Sequence, residues 1–374
     1  MTKSDHPPKK VLFISNVPSP YNVEYLNELG KLRTVTAVFE RGSSSERDKS
    51  WMSLRVQNFD CQILKGVHTA VDAALSPGVL RYIHHHRTGH IIIGNPATPT
   101  GILAILYCKI FRIPYILQSE GGVAGSGRGP KERFKYFLMK DAVCYLSGMR
   151  KNEYFLTYGA TPDRVKQYPF ASLHRKDMLT CAPTPEEKQA LRRELGIDAE
   201  RMVLYVGRFI YGKGMDILLR ACAGLPAGTA LVAVGGQPTE EYIKMQQQLK
   251  LSSVFYVDHA DLQTLKKYYM AADIFVLPTR GDTWGLVVNE AMSYGLGVIT
   301  TDACVAGLNL IENGVNGYVI PSEDPQTLHS ALCRVLEDPQ HAVQLGKCAL
   351  ETIQDYSYEN MAATIDSALA ALNG

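Results

Sequence analysis

The sequence predicts an α/β protein of two Rossmann-like, doubly wound domains that face a central cleft. Its 374 residues exceed one ordinary domain and suit two domains of about 150–200 residues each. Short aliphatic runs alternate with amphipathic stretches along the chain, as expected for βα units with parallel sheets. The polar, proline-rich segment LTCAPTPEE (residues 179–187) interrupts this alternation, and we interpret it as an interdomain linker.

Each predicted domain has its own series of strands. The first half contains the runs VLFIS, TVTAVFE, HIIIG, PYILQ and AVCYLS, and the second contains MVLYVG, ALVAVG, VFYV, IFVLP, GVITT and GYVIP. We therefore predict an N-terminal domain at residues 1–178 and a C-terminal domain at residues 179–356. Ligands of doubly wound sheets bind beyond the carboxyl ends of the strands, so a site is expected in the loops that follow these runs.

The charge of the chain is distributed unevenly. The net charge is +2, but residues 1–180 contain 25 lysines and arginines against 14 acidic residues, while the remainder contains 14 against 23. A basic first half suggests that it meets an anionic substrate, an anionic surface or the acidic second half. No nucleic-acid-binding motif accompanies it, so we expect no nucleic acid partner.

Other sequence features bear on location and metal binding. The eight cysteines are scattered singly without a CxxC pair, which argues against a zinc site or a disulfide framework. The longest apolar stretch, residues 101–117, contains Lys109, Arg112 and Pro114, and we interpret it as a core helix followed by a strand. The apolar run after the polar N-terminus is too short for a signal peptide. We therefore expect a cytoplasmic protein.

The segment PTRGDTWGLVVNEAMSYGLGVITTD, residues 278–302, carries the strongest chemical signal. It places a polar loop between the strand IFVLP and a helix that starts near Gly285. The N–H groups of a helix N-terminus can bind a phosphate, and a glycine there lets a ligand approach the backbone. Asp282 on the loop could accept hydrogen bonds from sugar hydroxyls, and Glu290 in the helix from a ribose diol. On spacing alone, a helix-capping residue and a solvated glutamate would explain the same pattern.

A second segment, VLYVGRFIYGKGMDILLRA at residues 203–221, places two cations after a strand. The strand ends at Gly207, and Arg208 and Lys213 follow on one loop. Arginine contacts phosphate oxygens in pairs and lysine supplies a point charge, so both together could neutralise a diphosphate leaving group without a metal. The chain has no DxD motif and no His and carboxylate cluster with ligand spacing, so we expect no metal and no cofactor. A solvated basic loop is the alternative.

Both segments resemble those of the retaining glycosyltransferase family 4, which has the two-domain GT-B fold, and the chain looks like its bacterial surface-polysaccharide type. The family's two glutamates with GFGL between them and EAM after correspond here to D-TWGL-VVN-EAMSYGLGVI, and its VGRL…KG loop to VGRFIYGKG. NGVNGYVIPSEDP (residues 313–325) fits the family's closing strand. The resemblance covers most of residues 203–325. The N-terminal half matches more weakly, through VLFIS, the SEGG loop and the general layout.

The resemblance implies a donor-binding C-terminal domain and an acceptor-binding N-terminal domain. Arg208 and Lys213 would bind the donor diphosphate and stabilise charge on the departing phosphate. Glu290 would hold the nucleotide ribose, and Asp282 would contact hydroxyls of the donor sugar. The remaining predicted donor-binding positions are Gly207, Thr283, Trp284, Gly285 and Leu286, and the last three of these would approach the diphosphate mainly through backbone.

Two positions depart from the family pattern. Asp282 replaces a glutamate and is one methylene shorter, and Thr283 with Trp284 replaces Gly-Phe, which makes the loop stiffer and bulkier. These departures bear on the identity of the sugar more than on the activity. The resemblance also implies that the final helix, residues 357–374, packs back on the N-terminal domain.

In the N-terminal half, the loop SEGGVAGSGRG (residues 119–129) follows the strand PYILQ. Glu120 there lies at the carboxyl end of a strand and is backed by glycines, so it could reach into the cleft. Many relatives have a histidine in this neighbourhood, which suggests that Glu120 contacts the donor sugar or orients the acceptor. A glutamate that caps the next helix is the alternative.

The segment RGPKERFKYFLMK, residues 128–140, interleaves basic and aromatic side chains. A basic amphipathic helix on a basic domain is typical of docking to an anionic membrane surface. Such a helix would place the protein peripherally at the inner membrane face. An ordinary surface helix with a buried apolar face explains the pattern equally well.

These observations together predict a retaining glycosyltransferase. The donor would be a nucleoside diphosphate sugar, with a UDP-sugar favoured and a GDP-sugar next, and the acceptor a hydroxyl of a glycan or lipid-linked glycan. The alternatives are a nucleotide-sugar epimerase or phosphorylase of the same fold, and a non-catalytic nucleotide-sugar-binding subunit. An NAD(P) oxidoreductase is disfavoured because no GxGxxG follows the first strand.

Overall fold

The computed structural model describes residues 10–42, 55–70, 72–122, 129–150 and 153–372. The chain divides into two compact units, one of Met1–Ala171 with Ser357–Gly374 and the other of Ser172–Tyr356. We call these unit 1 and unit 2. Residues 123–128 of the predicted loop 119–129, and hence the first residue of the predicted basic helix 128–140, lie outside the described residues. Within the described ranges, every helix is too short or too polar to span a bilayer.

Unit 1 is built on a seven-stranded parallel sheet with the order β3-β2-β1-β6-β7-β8-β9, together with a two-stranded antiparallel pair, β4 and β5. The strands are β1 Val11–Ser15, β2 Val35–Phe39, β3 Asp60–Ile63, β4 Val67–Ala70, β5 Ala73–Leu75, β6 His90–Ile93, β7 Ile116–Ser119, β8 Cys144–Ser147 and β9 Val165–Gln167. The helices between them are α1 Pro20–Leu32, α2 Val79–His86, α3 Pro99–Ile110, α4 Pro130–Met139 and α5 Glu153–Thr157.

Unit 2 is built on a six-stranded parallel sheet with the order β12-β11-β10-β13-β14-β15. The strands are β10 Arg201–Val206, β11 Thr229–Val234, β12 Val254–Val257, β13 Ile274–Leu277, β14 Gly297–Thr301 and β15 Gly317–Ile320. The helices are α6 Pro185–Glu194, α7 Met215–Ala221, α8 Glu240–Gln248, α9 Leu262–Ala271, α10 Leu286–Ser293, α11 Val305–Leu310, α12 Pro325–Leu336 and α13 Pro339–Ile353.

The strand order reverses once in each sheet. The first strand of unit 1, β1, lies between β2 and β6, and the first strand of unit 2, β10, lies between β11 and β13. Successive strands on either side of such a point are connected over opposite faces of the sheet, which leaves a crevice where the loops diverge. This doubly wound topology confirms the predicted fold class of two Rossmann-like domains.

The central strands follow from their sequences. All five residues of VLFIS in β1 are buried, and so are all five of GVITT in β14. A parallel strand covered on both faces needs a continuous apolar run rather than an alternating one. Five short strands differ from this pattern, because most of their residues are exposed or only half-buried; they are β3, β4, β5, β9 and β12.

The predicted linker at residues 179–187 lies within unit 2, which begins at Ser172, and its last three residues already belong to α6, which begins at Pro185. Thr184 accepts a hydrogen bond from the backbone N–H of Glu187, and the Glu187 carboxylate accepts one from the backbone N–H of Thr184. This reciprocal pair is a capping box, and the proline at the first helical position needs no N–H partner. The polar composition that resembles a linker is therefore a helix start.

The last helix, α14 Tyr358–Ala371, belongs to unit 1. It buries Met361, Ile365 and Leu369, which recur at helical spacing, and it packs against α1. Arg33, which follows α1, forms an ion pair with Asp366 and also donates a hydrogen bond of 3.1 Å to the carbonyl of Asp366. The end of the chain is thus held to its beginning by an apolar stripe and one buried guanidinium.

Candidate active site

The loops that carry the predicted donor-binding residues meet at the point in unit 2 where the strand order reverses. β10 pairs directly with β13. The loop after β10 contains Arg208 and Lys213, and the loop after β13 contains Asp282 to Gly285. In open α/β sheets this crevice beyond the carboxyl ends of the strands is where ligands bind. Residues 69 positions apart in the sequence therefore share one site.

Close backbone contact joins the two loops. Gly214 has a φ of 72°, and a Cβ on it would lie 1.9 Å from the carbonyl oxygen of Pro278. The backbone N–H of Arg280 and the hydroxyl of Thr279 both donate to the carbonyl of Gly212, over 2.9 and 2.8 Å. Only glycine combines this left-handed conformation with such an approach. The glycines beside Lys213 thus bring its loop against the strand end that precedes Asp282.

Two of the three predicted catalytic residues of unit 2, Lys213 and Asp282, form an ion pair. The Nζ of Lys213 lies 2.5 Å from Oδ2 of Asp282, and each side chain is 19% exposed. The backbone N–H of Asp282 donates to the carbonyl of Ala303 over 3.0 Å, and this hydrogen bond fixes the backbone that carries the carboxylate. A partly exposed ammonium with one carboxylate partner retains donors that can face a ligand.

Helix α10 starts beside this pair, as the sequence predicts. Its N-cap is Gly285 with a φ of 96°, and no side chain caps the helix. The turn before it is fixed to the start of α11, since the backbone N–H of Ala306 donates to the carbonyl of Trp284 over 2.7 Å. The first N–H groups of a helix carry partial positive charge, so this end of α10 favours an anion.

The side chains of the α10 turn differ in how much a ligand could touch them. Trp284 is buried, and its Nε1 donates to Oδ1 of Asn289 over 2.8 Å. Thr283 is exposed and Leu286 is half-buried. Because the indole is turned into the core, Trp284 could meet a ligand only through its backbone.

Glu290 lies in the second turn of α10. Tyr269 in α9 donates a hydrogen bond to Oε2 of Glu290 over 2.9 Å. The residue as a whole is only partly buried, but its carboxyl group is desolvated, and this desolvation raises the pKa of Glu290 to about 7. The hydrogen bond from Tyr269 offsets part of that rise. A carboxylate held in this way gains from any further hydrogen-bond donor that a ligand brings.

Arg208 stands exposed at the carboxyl end of β10. Its carbonyl accepts a hydrogen bond of 3.0 Å from the hydroxyl of the buried Tyr205, and the N–H of Gly207 donates to Val234 at the end of β11. A Cβ on Gly235 would lie 2.4 Å from the carbonyl oxygen of Gly207. The backbone around Arg208 is therefore fixed, while its guanidinium extends from the strand end.

Unit 1 places Glu120 at the carboxyl end of β7, where it is half-buried. The hydroxyl of Tyr21, in the first turn of α1, lies 3.3 Å from Oε2 of Glu120, within hydrogen-bonding distance. The Tyr21 ring packs edge-to-face on Phe170, with 5.4 Å between centroids. Glu120 therefore belongs to a cluster of aromatic side chains rather than to an isolated loop.

The predicted basic helix 128–140 corresponds to α4, Pro130–Met139. Leu138 and Met139 are buried, whereas Phe134 and Phe137 are 46% and 47% exposed. The Nζ of Lys109 lies 5.0 Å from the centroid of the Phe137 ring and so connects α4 to the end of α3. The helix thus has a short buried face and a largely exposed aromatic one.

Comparison with known proteins bears first on unit 2, which contains the residues predicted to bind the donor. Residues 187–352 match the family model of glycosyl transferases group 1. The matched range runs from α6 to the end of α13, and it includes the β10 and β13 loops with Lys213, Asp282 and Glu290. The group 1 match therefore covers every predicted site residue except Glu120.

Two curated relatives are each similar to about half of the chain. An uncharacterized glycosyltransferase of Methanocaldococcus jannaschii is 32% identical over 186 residues, which are 47% of this chain and 47% of that protein. A D-inositol 3-phosphate glycosyltransferase of Corynebacterium glutamicum is 29% identical over 224 residues, 56% of this chain and 52% of that protein. The chain thus spans about half the length of the curated relatives it matches.

Solved structures resemble the chain over nearly its full length. The crystal structure of Anabaena HepE in complex with UDP has a TM-score of 0.75 at 18% identity, with 97% of this chain and 100% of that chain covered. The same protein in complex with UDP-glucose has a TM-score of 0.70. This likeness, together with the group 1 match, confirms the GT-B fold that the sequence predicts.

Several residues that contact the predicted site residues or their loops were not predicted from the sequence. Arg280 ties the β13 loop to the β10 loop, Tyr269 contacts Glu290, and Tyr21 contacts Glu120. Gly235 packs on Gly207 at the end of β11. A pair of glycines directly after the run ALVAV was a usable signal for this last position, because it follows a strand of the same sheet. The other three have no local signal, since their partners are distant in sequence.

Proposed function

We propose that this protein is a glycosyltransferase that moves a sugar from a nucleoside diphosphate sugar to a hydroxyl group of an acceptor. The observation that carries the proposal is the meeting of Lys213, Asp282 and the start of α10 at the strand-order reversal of unit 2. A cation, a helix N-terminus and a polar carboxylate are what a diphosphate joined to a sugar requires.

The Lys213–Asp282 pair suggests how the donor is received. In the free protein the ammonium of Lys213 is neutralised by Asp282. A diphosphate carries more charge than one carboxylate, so its oxygens replace part of that contact, together with Arg208 and the N–H groups of α10. The carboxylate of Asp282 then becomes available to hydroxyl groups of the sugar.

The nucleotide is proposed to be UDP, with GDP next. Glu290 accepts hydrogen bonds from the ribose hydroxyls, in addition to the one it receives from Tyr269. The complexes of Anabaena HepE with UDP and with UDP-glucose support a uridine donor, because that protein has a similar fold. Gly235 lets the β11 loop pack directly on the backbone of Gly207, which holds this loop beside the strand end that carries Arg208.

The proposed chemistry retains the configuration of the anomeric carbon. The bond between that carbon and the β-phosphate oxygen breaks, and a bond to the acceptor oxygen forms on the same face. The acceptor proton passes to the leaving phosphate oxygen. Arg208 and Lys213 stabilise the charge that develops on the phosphate, so the step needs no metal ion.

The acceptor is proposed to bind through unit 1. Glu120 and Tyr21 offer a carboxylate and a phenol beside an aromatic surface, a combination that suits the hydroxyls and apolar faces of a sugar. A glycan or lipid-linked glycan of a cytoplasmic polysaccharide pathway fits this chemistry. Glu120 would orient the acceptor hydroxyl or contact the donor sugar.

A nucleotide panel tests the donor part of the proposal. Thermal stability is measured with UDP, GDP, ADP and their glucose or mannose conjugates, in the presence of EDTA. We expect one nucleoside diphosphate to raise the melting temperature without metal, and Arg208→Ala to abolish that rise. Arg220→Ala is the matched control, because Arg220 is an exposed arginine at the end of α7.

Two results would contradict this proposal. One is that no nucleoside diphosphate stabilises the protein, and the other is an absolute requirement for Mg²⁺ or Mn²⁺. Once a donor is identified, consumption of that donor without any added acceptor would favour an epimerase. The anomeric configuration of the product, determined by NMR spectroscopy, decides whether the transfer retains or inverts.

We further propose that α4 and the end of α3 contact an anionic membrane surface. Phe134 and Phe137 of α4 are exposed, and the Nζ of Lys109 lies over the Phe137 ring. The two residues after Lys109, Ile110 and Phe111, are 74% and 60% exposed. Exposed basic side chains flank these apolar ones at Lys131, Arg133 and Arg112. Aromatic and aliphatic groups among cations match the interface of a bilayer with anionic lipids.

Vesicle co-sedimentation tests this surface. We expect the protein to bind vesicles that contain phosphatidylglycerol, to bind vesicles of phosphatidylcholine alone far less, and to be released by high salt. The double variant F134S/F137S should lose this binding. Leu262→Ser is the control, since Leu262 is 78% exposed but lies in unit 2. Equal binding by the double variant and the control would contradict the proposed surface.

A further inference from the structure

Arg280 lies in the loop after β13, two residues before Asp282, and its guanidinium is fully engaged within the protein. Nε and Nη2 donate to the carboxylate of Glu323 over 2.6 and 3.1 Å. Nη1 and Nη2 donate to the two carboxylate oxygens of Asp216, each over 2.8 Å. Nη1 also donates to the carbonyl of Tyr211 over 2.6 Å. All five N–H groups of the guanidinium therefore have acceptors.

These contacts surround the short turn that carries Lys213. Tyr211 begins that turn, and the Cζ atom of Arg280 lies over its ring, 3.8 Å from the ring centroid. Asp216 follows the turn in the first turn of α7. Arg280 thus holds the chain both before and after Lys213.

The charges around Arg280 favour a structural role for its guanidinium over a role in binding a ligand. Arg280 faces two carboxylates, and its side chain is only 12% exposed. The hydrogen bonds and charge of Asp216 and Glu323 raise the pKa of Arg280 above its usual range. Burial alone would raise the pKa of Asp216, but the hydrogen bonds and charge of Arg280 lower it below its usual value. With every donor used, Arg280 has none left for a phosphate.

We infer that Arg280 is a positioning residue that sets the place of the Lys213 ammonium for the β-phosphate of the donor. It acts by clamping Tyr211 and Asp216, on either side of Lys213, to the loop that carries Asp282. The inference rests on the proposed function, because it assigns Arg280 to the same donor site. A lysine cannot replace it, since an ammonium lacks the planar fork that serves two carboxylates and a carbonyl at once.

A double-mutant cycle on nucleotide binding tests this inference. UDP and UMP affinities are measured by calorimetry for the unmodified protein, R280K, K213A and R280K/K213A. We expect R280K to weaken UDP binding about tenfold and to leave UMP binding within about twofold, because UMP lacks the β-phosphate. In the K213A background, R280K should change UDP affinity by less than about twofold.

Two further variants separate positioning from folding. Glu323→Gln removes part of the clamp at a side chain that is 56% exposed, so it should fold normally and weaken UDP binding less than R280K. Arg201→Gln is the matched control, because Arg201 also combines an ion pair with hydrogen bonds to carbonyls, those of Ala227 and Leu336. It should leave the affinity for UDP unchanged. Melting temperatures are recorded for every variant.

The outcomes distinguish this inference from the proposed function. If K213A weakens UDP binding but R280K and Glu323→Gln do not, the role of Arg280 is overturned and the proposed function stands. The role of Arg280 is also overturned if R280K weakens UDP and UMP binding equally. The same holds if R280K weakens UDP binding as much in the K213A variant as in the unmodified protein. If the unmodified protein binds no nucleoside diphosphate, the proposed function itself is overturned.

Discussion

Tyr269 donates a hydrogen bond of 2.9 Å to Oε2 of Glu290 and thereby connects α9 to the second turn of α10. The tyrosine is fully buried, and the carboxyl group it contacts has lost most of its water. An acidic group in such a place is costly to ionise, although it can accept hydrogen bonds from a ligand once ionised. The pair therefore makes the stability of unit 2 depend on pH.

Glu290 should make the free protein less stable as the pH rises from about 5 to 8. The folded-state pKa of about 7 is above the ordinary value of 4.5, so the folded state holds this proton more tightly between those two pH values. The stability that this group contributes is fully present below pH 4.5 and is lost as the pH rises through 7, by an amount of about 3 kcal/mol. Glu290→Gln should remove this trend relative to the unmodified protein.

Urea unfolding at several pH values measures the effect of Glu290. Glu240→Gln is the control, since the Glu240 side chain is 91% exposed. The difference in unfolding free energy between the unmodified protein and Glu290→Gln should change with pH, and that for Glu240→Gln should not. A constant difference from pH 5 to 8 would show that the Glu290 carboxyl ionises normally.

Gly214→Ala should destabilise unit 2 and disturb Lys213. The added Cβ would lie 1.9 Å from a carbonyl oxygen, and the φ of 72° is unfavourable for alanine, so we expect a loss of about 2 kcal/mol or more. Gly212→Ala is the matched control two residues away, where a Cβ meets nothing within 4 Å. Calorimetric unfolding and UDP titration of both variants check this. If the two variants had the same stability and the same UDP affinity, the two loops could separate without a loss of stability.

Trp284→Phe should lower stability but not donor affinity. The substitution removes the hydrogen bond from Nε1 to Asn289 inside the core, which costs roughly 1–3 kcal/mol. Since the indole faces the core, UDP affinity should stay within about twofold of the unmodified protein. Chemical unfolding and UDP titration measure both quantities. A large loss of UDP affinity at normal stability would indicate that the indole itself contacts the donor.

Asp366→Ala should destabilise unit 1 by about 2–3 kcal/mol, because it leaves the buried guanidinium of Arg33 without its carboxylate. Ser367→Ala, at the next position of α14, should change stability by less than about 0.5 kcal/mol. Differential scanning calorimetry compares the two variants. If they unfold alike, the apolar stripe of α14 alone holds the helix to α1.

Much of the fold and part of the site follow from local sequence. The strands of both parallel sheets that are buried, such as β1 and β14, appear as continuous aliphatic runs, and the start of α10 is visible at Gly285. The strands that escaped prediction are exposed ones, such as β4, because an edge or surface strand need not be apolar. Residues 185–187 were misassigned because a capping box and a linker share the same polar residues.

The sequence by itself determined which loops carry charge, since Arg208, Lys213 and Asp282 each stand directly after a recognisable strand. Only the tertiary structure decided which of these side chains meet. Lys213 pairs with Asp282, and Arg280 reaches Asp216 and Glu323, because β10 lies beside β13 in the sheet. Hydrophobic periodicity is a property of neighbouring residues, whereas strand order depends on packing between distant segments. The clamp around Lys213 is therefore a product of topology, and no local pattern in the sequence reveals it.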